Sequence, residues 1–107
     1  MNRTISPAEL KQLLENRKTI LLLDVRRRID YDTDGQKIPG AAWLDPERLV
    51  QWSTALPLDR EIVIYCVRGG SVSNSVVDQL KAKGVKARSI EGGLEAWRQA
   101  GGETVPK

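Results

Sequence analysis

Apolar residues occur in short runs along the chain, with polar residues and glycines between them. Residues 20–23 and 62–65 each form a continuous apolar run, which is typical of a strand buried on both faces of a parallel sheet. Residues 85–90 predict a third strand, and residues 42–44 predict a further short one. The runs therefore predict several strands of one sheet.

The segment before the first strand carries the signals of a helix start. Ser6 is suited to the N-cap position, Pro7 to the first helical position, and Glu9 completes a capping box with Ser6. The leucines at positions 10, 13 and 14 then fall on one helical face. We predict an amphipathic helix that begins at Pro7.

Three further helices are predicted from spacing and end signals. One begins after Asp45, and another places apolar residues 72, 76, 77 and 80 on one face and stops at Gly84. The last follows Gly92 and Gly93 and ends at glycines 101 and 102. Residues 25–41 are polar and contain glycine and proline, so they are predicted to be one long loop.

Strands and helices alternate in this pattern. The alternation predicts an α/β domain with a mainly parallel sheet and helices on both of its faces, which makes three layers. The length fits a single domain that spans residues 1–107.

The chain carries a mild excess of positive charge, with a net charge of +3. This excess favours small anions or acidic partners and is too weak to indicate nucleic acid. The densest basic run is Arg26-Arg27-Arg28. Because arginine is usually exposed, we interpret the run as a solvated or partly paired loop.

The residue types that the sequence lacks exclude several kinds of catalytic site, metal site and cross-link. The chain has no His and a single Cys, Cys66, so a catalytic triad with His, a His-ligated zinc site and an internal disulfide are excluded within it. We expect no metal and no cofactor.

The sequence also indicates where the protein is located. A lone thiol fits a reducing compartment. No stretch approaches the ~20 apolar residues of a membrane span, and the N-terminus does not have the pattern of a signal peptide. We expect a cytoplasmic protein that does not contact membranes.

Cys66 directly follows the apolar run at residues 62–65 and precedes a glycine-bearing turn into a helix. In a parallel sheet, ligands bind beyond the carboxyl ends of the strands. Gly69 and Gly70 allow the backbone to curl so that its N–H groups form an anion-binding nest, and the helix start near Ser71 adds further N–H groups. Such a cradle favours the thiolate, which is the reactive form. The alternative for Cys66 is a small buried apolar residue at a strand end.

From about residue 6 to residue 101 the sequence resembles the rhodanese family. Four segments carry the resemblance: Leu-Leu-Asp-Val-Arg at 22–26, Ile-Pro-Gly-Ala at 38–41, Ile-Tyr-Cys at 64–66 with Gly69, and Glu-Gly-Gly-Leu-Glu-Ala-Trp at 91–97. Singly these motifs are weak, but their order and spacing make the resemblance strong.

The resemblance implies a five-stranded parallel sheet flanked by helices and the transfer of a sulfane sulfur through a persulfide on Cys66. The donor would be a small anion such as thiosulfate or a related persulfide. The acceptor would be a thiol, cyanide or a sulfur-accepting protein. The substrate would be bound by loop residues, namely Val67, Arg68, Gly69, Gly70, Ser71 and Val72. Asp24 and Arg26 would be structural or rim residues.

Departures from the family pattern leave the preferred donor open. Many relatives have Arg directly after the Cys, where this chain has Val67, and many have Arg at the fifth position after it, where this chain has Ser71. A hydroxyl at that fifth position resembles the thiosulfate-using relatives. Arg68 is expected to lie at the rim and to attract the donor from a distance. Lys37 replaces the His that usually precedes Ile-Pro-Gly.

Two other functions remain open. A rhodanese-like domain can be a binding or regulatory module with an inert thiol, because fold alone does not fix function. A phosphatase or arsenate reductase of the same fold would need a loop one residue longer, with Arg at the sixth position after the Cys, where this chain has Val72. Without that cation, phosphoryl transfer loses its main electrostatic stabiliser.

Overall fold

The computed structural model describes residues 3–16 and 19–107. The first two residues of the N-terminus, for which the sequence predicts no signal peptide, lie outside the described residues. The strands in this part of the chain are β1 (Thr4–Ile5), β2 (Ile20–Asp24), β3 (Gln36–Lys37), β4 (Ala42–Trp43), β5 (Glu61–Tyr65), β6 (Lys86–Ile90) and β7 (Val105–Pro106). The α-helices there are α1 (Pro7–Glu15), α2 (Arg28–Thr33), α3 (Leu49–Trp52), α4 (Ser71–Ala82) and α5 (Gly93–Gln99). None of the described helices has both the length and the apolar character needed to cross a membrane.

The main sheet of the described chain has five strands in the spatial order β1-β6-β5-β2-β4. Every neighbouring pair in it is parallel. The predicted α/β fold with a five-stranded parallel sheet is therefore confirmed. Strand β5 occupies the centre, so the residue that follows it lies above the middle of the sheet edge.

Within the described residues, two hydrophobic cores lie on opposite faces of the sheet, because successive strand residues point to opposite faces. Val63 and Tyr65 of β5 pack with Leu10 of α1 and Trp97 of α5. The alternate residues of β5 pack on the other face with α3 and α4. This second core contains Leu23, Val25, Leu49, Ile62, Ile64, Val76, Val77, Leu80, Val85 and Ala87.

Helix α1 begins as its sequence predicts. The Ser6 side chain accepts a hydrogen bond from the backbone N–H of Glu9 at 3.1 Å, and Pro7 is the first helical residue. Leu10 is fully buried, while the leucines at 13 and 14 pack partly buried against the same core. The apolar face and the Ser6 cap therefore agree with the structure, whereas the Glu9 carboxylate accepts from the Ser6 hydroxyl at 3.2 Å and not from the Ser6 backbone N–H of a capping box.

The prediction of one long loop at residues 25–41 is wrong. This segment contains α2, and it contains β3, which pairs antiparallel with β7. Helix α2 lacks an apolar face, and its position depends on contacts distant in sequence. The Tyr31 ring stacks on Trp43 with centroids 4.7 Å apart, and Lys107 Nζ lies 3.9 Å from the centre of the same ring.

The helix predicted to begin after Asp45 is divided into an α-helical turn and two 3₁₀ turns. A 3₁₀ turn at Pro46–Arg48 precedes α3, and a second 3₁₀ turn at Ser53–Ala55 follows it. Asp45 caps the first of these turns, since its Oδ1 accepts from the backbone N–H of Glu47 at 2.9 Å. The single α-helical turn positions Leu49 against the core of α4.

Candidate active site

Cys66 lies at the carboxyl end of the central strand, where it directly follows β5. Continuing the alternation of Ile62 and Ile64 places it on the α4 side of the sheet. Its side chain is buried, with 6% of the residue exposed. The Cys66 thiol donates a hydrogen bond to Ser73 Oγ at 3.3 Å, and that hydroxyl in turn donates to the carbonyl oxygen of Gly70 at 3.4 Å.

The loop after Cys66 presents a row of free backbone donors. Gly69 adopts a positive φ of 69°, and α4 starts at Ser71 after the N-cap Gly70. Among the residues that the structure describes, no acceptor is bonded to the N–H groups of residues 67–73. These groups are available to an anion at the mouth of the loop, since unpaired N–H groups at a helix start favour negative charge.

Helix α5 fixes the back of this loop. The backbone N–H of Leu94 donates to the Cys66 carbonyl at 2.9 Å, and that of Glu95 donates to the Val67 carbonyl at 3.0 Å. Gly93 approaches so closely that an added Cβ would lie 2.6 Å from the Cys66 carbonyl oxygen and 2.6 Å from the Gly69 nitrogen. The Gly-Gly motif before α5 therefore allows the helix start to contact the cysteine loop directly.

A cleft of about 540 Å³ opens over the loop. Its lining contains Cys66 and five of the six predicted binding residues, namely Val67, Arg68, Gly70, Ser71 and Val72. Arg27 and Asp30 complete the lining from the α2 side. A second cavity of about 450 Å³ shares Arg27, Ser71 and Val72 with the first and continues along α4. Gly69 does not line the cleft, and an added Cβ there would lie 2.9 Å from the Gly92 nitrogen.

Arg68 lies at the rim of the cleft. Its side chain is 81% exposed, and its Nε forms an ion pair with Glu95 Oε2 at 3.1 Å. The guanidinium is therefore directed to the start of α5. Coulomb attraction from such an exposed pair is weak and is screened by salt.

Asp24 and Arg26 form a buried ion pair below the cleft, in which Arg26 Nη2 donates to Asp24 Oδ2 at 2.6 Å. The Tyr65 hydroxyl also donates to Asp24, at 3.2 Å, and accepts from the backbone N–H of Ile38 at 3.3 Å. Arg26 is 1% exposed, so it has a structural position and does not lie at the rim.

The same network shifts two pKa values. Burial alone would lower the pKa of Arg26, but the hydrogen bonds and the charge of Asp24 outweigh burial and raise it. Burial raises the pKa of Tyr65, and the negative charge of Asp24 raises it further. Both shifts favour the protonated groups, whose hydrogen bonds to Asp24 link the end of β2 to Tyr65 at the end of β5.

The sequence interpretation missed three residues near the sulfur. Ser73 is fully buried, and Arg27 and Asp30 line the cleft. Ser73 does have a sequence signal: it is a polar residue on the helical face that otherwise consists of Val76, Val77 and Leu80. No comparable signal marks Arg27 or Asp30, because their placement depends on α2, which the sequence did not predict.

Comparison with known proteins agrees with this fold. A model of the rhodanese-like domain family matches residues 6–100. The chain is 34% identical over 109 residues to the uncharacterized protein slr1261 of Synechocystis, with 97% of this chain and 56% of that protein covered. It is 31% identical over 99 residues to the thiosulfate sulfurtransferase GlpE of Coxiella burnetii, with 92% of this chain and 89% of GlpE covered.

A solved structure, that of the Alr3790 protein from Anabaena, superposes with a TM-score of 0.83 at 31% identity, over 95% of this chain and 80% of that one. The chain spans about half of slr1261. It spans 15% and 24% of two other relatives named as sulfurtransferases, so several matching proteins are much longer.

The parallel sheet, with a cysteine loop at the carboxyl end of its central strand, defines an α/β protein with a free, buried thiol at the edge of the sheet. Because the family model matches nearly the whole chain, the protein belongs to the rhodanese-like domain family.

Proposed function

We propose that this protein transfers a sulfane sulfur from thiosulfate, or from a related persulfide donor, to a thiol or cyanide acceptor through a persulfide on Cys66. The observation that carries the proposal is the position of Cys66 in a cleft whose loop N–H groups, from Val67 to Ser73, have no acceptor among the residues that the structure describes. These donors suit an anionic sulfur bound to Cys66. The similarity to the thiosulfate sulfurtransferase GlpE supports the choice of thiosulfate as a donor.

In the first half of the reaction, the Cys66 thiolate attacks the outer sulfur of thiosulfate. A bond forms between Sγ and that sulfur while the sulfur–sulfur bond of thiosulfate breaks, and the electron pair leaves with sulfite. The products are the Cys66 persulfide anion and sulfite, so charge and atoms balance. The free N–H groups of residues 67–73 are suited to hold the anionic sulfur, which is the role of an oxyanion-type site.

In the second half, an acceptor thiolate or cyanide attacks the outer sulfur of the persulfide. The bond to Sγ breaks, and its electron pair restores the Cys66 thiolate. The acceptor leaves as a persulfide or as thiocyanate. The cycle needs no cofactor and no general base, because the nucleophile reacts as the anion in both halves.

The test is a thiosulfate-to-cyanide assay combined with intact mass measurement after incubation with thiosulfate alone. The parent protein should gain one sulfur atom and form thiocyanate. Cys66→Ser should remain folded, gain no sulfur and have less than about a hundredth of the parent activity, since no other thiol exists to replace it. A parent protein that gains no sulfur from thiosulfate would instead favour a binding module with an inert thiol.

A further inference from the structure

The three consecutive arginines after Val25 have three different environments. Arg26 is buried in the ion pair with Asp24. Arg28 is exposed and lies 3.5 Å from Asp32, one helical turn away. Arg27 lines the cleft together with Cys66, and it forms no hydrogen bond or ion pair with any side chain in the described part of the chain. The arginine left without a partner is therefore the one that lines the cleft.

The backbone before Arg27 is fixed by its neighbours. The Arg26 N–H donates to Asp24 Oδ1 at 3.0 Å, and the Trp43 indole donates to the Arg26 carbonyl at 2.9 Å. Because β2 ends at Asp24 and α2 begins at Arg28, the intervening residues have little freedom to move. This anchoring fixes the backbone next to Arg27, a residue that lines the cleft and is exposed.

The other cation of the cleft is already engaged. Arg68 pairs with Glu95, and the position next to Cys66 holds the uncharged Val67. Asp30 also lines the cleft and opposes the binding of anions. Of the cleft-lining groups within residues 3–16 and 19–107, Arg27 is the cation that has no carboxylate within ion-pair distance.

We infer that Arg27, and not Arg68, binds the anionic end of the sulfur donor and gives the cleft its preference for a doubly charged donor over a singly charged one. This inference rests on the proposed function. In the bound donor, the outer sulfur contacts Cys66 and the loop N–H groups, while the sulfonate end extends to Arg27. Asp30 limits the attraction, so that removing its charge should strengthen the binding of the same donor.

The experiment compares Arg27→Ala with Arg28→Ala, a matched control from the same run whose side chain does not line the cleft. Arg27→Ala should raise KM for thiosulfate about five-fold with little change in kcat, because an exposed charge contributes uniform binding. Arg28→Ala should leave both constants unchanged. Arg27→Lys should retain most of the affinity, Arg68→Ala should raise KM less than Arg27→Ala, and Asp30→Asn should lower KM.

Two further measurements test whether the effect of Arg27→Ala on KM arises from the charge of the side chain. The effect of Arg27→Ala should shrink at high salt, because exposed charges are screened. It should also be smaller with benzenethiosulfonate, a singly charged donor that loads Cys66 by the same attack on its outer sulfur and releases a sulfinate. An equal rise in KM for the two donors, or an equal effect of Arg27→Ala and Arg28→Ala, would overturn the inference.

Failure of the inference differs from failure of the proposed function. If the parent gains a sulfur atom from thiosulfate and Arg27→Ala has the parent KM, sulfur transfer stands and the role of Arg27 is wrong. If the parent gains no sulfur from thiosulfate, the proposed function itself fails, and the inference that depends on it fails too.

Discussion

At the scale of single residues, the Ser73 hydroxyl lies within hydrogen-bonding distance of the Cys66 sulfur and of the Gly70 carbonyl oxygen. With Cys66 as a thiol, the thiol donates to Ser73 and the hydroxyl donates to the Gly70 carbonyl. Once the thiol has lost its proton, its sulfur becomes an acceptor, and the hydroxyl can rotate to donate to it. Ser73 is therefore suited to accept a hydrogen bond from the thiol and to donate one to the thiolate in the proposed cycle, without any movement of the backbone.

We predict that Ser73→Ala lowers kcat and kcat/KM for sulfur transfer by at least about tenfold, since a hydrogen bond to a charged group is worth about 1.5–3 kcal/mol. Steady-state kinetics with thiosulfate and cyanide would measure the loss. Ser75→Ala removes an exposed hydroxyl from the same helix and is the control, with an expected effect below about twofold. Equal kinetics for the two variants would show that Ser73 is only a packing residue.

At the scale of elements, the start of α5 contacts the cysteine loop directly. The start of α5 is joined to the cysteine loop by two backbone hydrogen bonds and by the contact of Gly93 with Gly69. Gly93 has a φ of 64°, so a side chain there would be strained as well as obstructed. Loop geometry therefore depends on the start of α5 as well as on the start of α4.

We predict that Gly93→Ala destabilises the fold by more than Gly101→Ala, by a margin on the order of 2 kcal/mol from steric overlap. Gly101 is the matched control because its φ is 81° and an added Cβ would meet no atom within 4 Å. Urea unfolding would measure both free energies. Gly93→Ala should also lose sulfur-transfer activity under conditions where it remains folded. Equal stabilities for the two variants would mean that the loop and helix can separate without cost.

Elements with a strong local signal could be predicted from the sequence, and elements held by distant contacts could not. Strands β2 and β5 are apolar runs, and the cap at Ser6 starts α1 as predicted. Strands β3 and β7 have two residues each, which is too short for an alternating pattern, and α2 is placed by contacts with Trp43 and Lys107.

In the candidate site, too, the features with a local sequence signal could be predicted, and the features that depend on distant contacts could not. The order of strand, Cys66, glycine and helix identified the loop, because those signals are local. The partner of Arg68 and the approach of Arg27 could not be inferred, since Glu95 and α2 reach the cleft through the fold. Likewise, charge alone could not distinguish Arg26, which is buried with Asp24, from the exposed arginines beside it.

At the scale of the whole molecule, a buried polar network connects the main sheet with the separate two-stranded sheet of β3 and β7. Asp24 ends β2 and accepts from Arg26 and from Tyr65. Arg26 donates onward to the Gln36 carbonyl at 3.0 Å, in the β3 strand that pairs with β7. Loss of a proton anywhere in the network would leave charges without partners in a buried region, so its protonation is coupled to the stability of the entire fold.

Stability should therefore fall at alkaline pH. The pKa of Tyr65 is raised in the folded state, so its contribution is fully present below the ordinary tyrosine value of about 10 and is lost as pH rises through the higher folded value. We predict that the free energy of unfolding declines above about pH 10 and that Tyr65→Phe, although less stable at neutral pH, declines less steeply. Urea unfolding from pH 8 to 11 would test it, and parallel pH profiles for the two proteins would contradict it.

The contact between Gly69 and Gly93 has an evolutionary consequence. An added side chain at either position would overlap backbone atoms of the other segment, so no change of a neighbouring side chain could make room for it. The two glycines should then be retained or lost together when related sequences diverge. Lineages that keep the cysteine should keep both, while lineages in which the domain has become a non-catalytic adaptor are free to lose the pair, which would make this pair a sequence marker of retained activity.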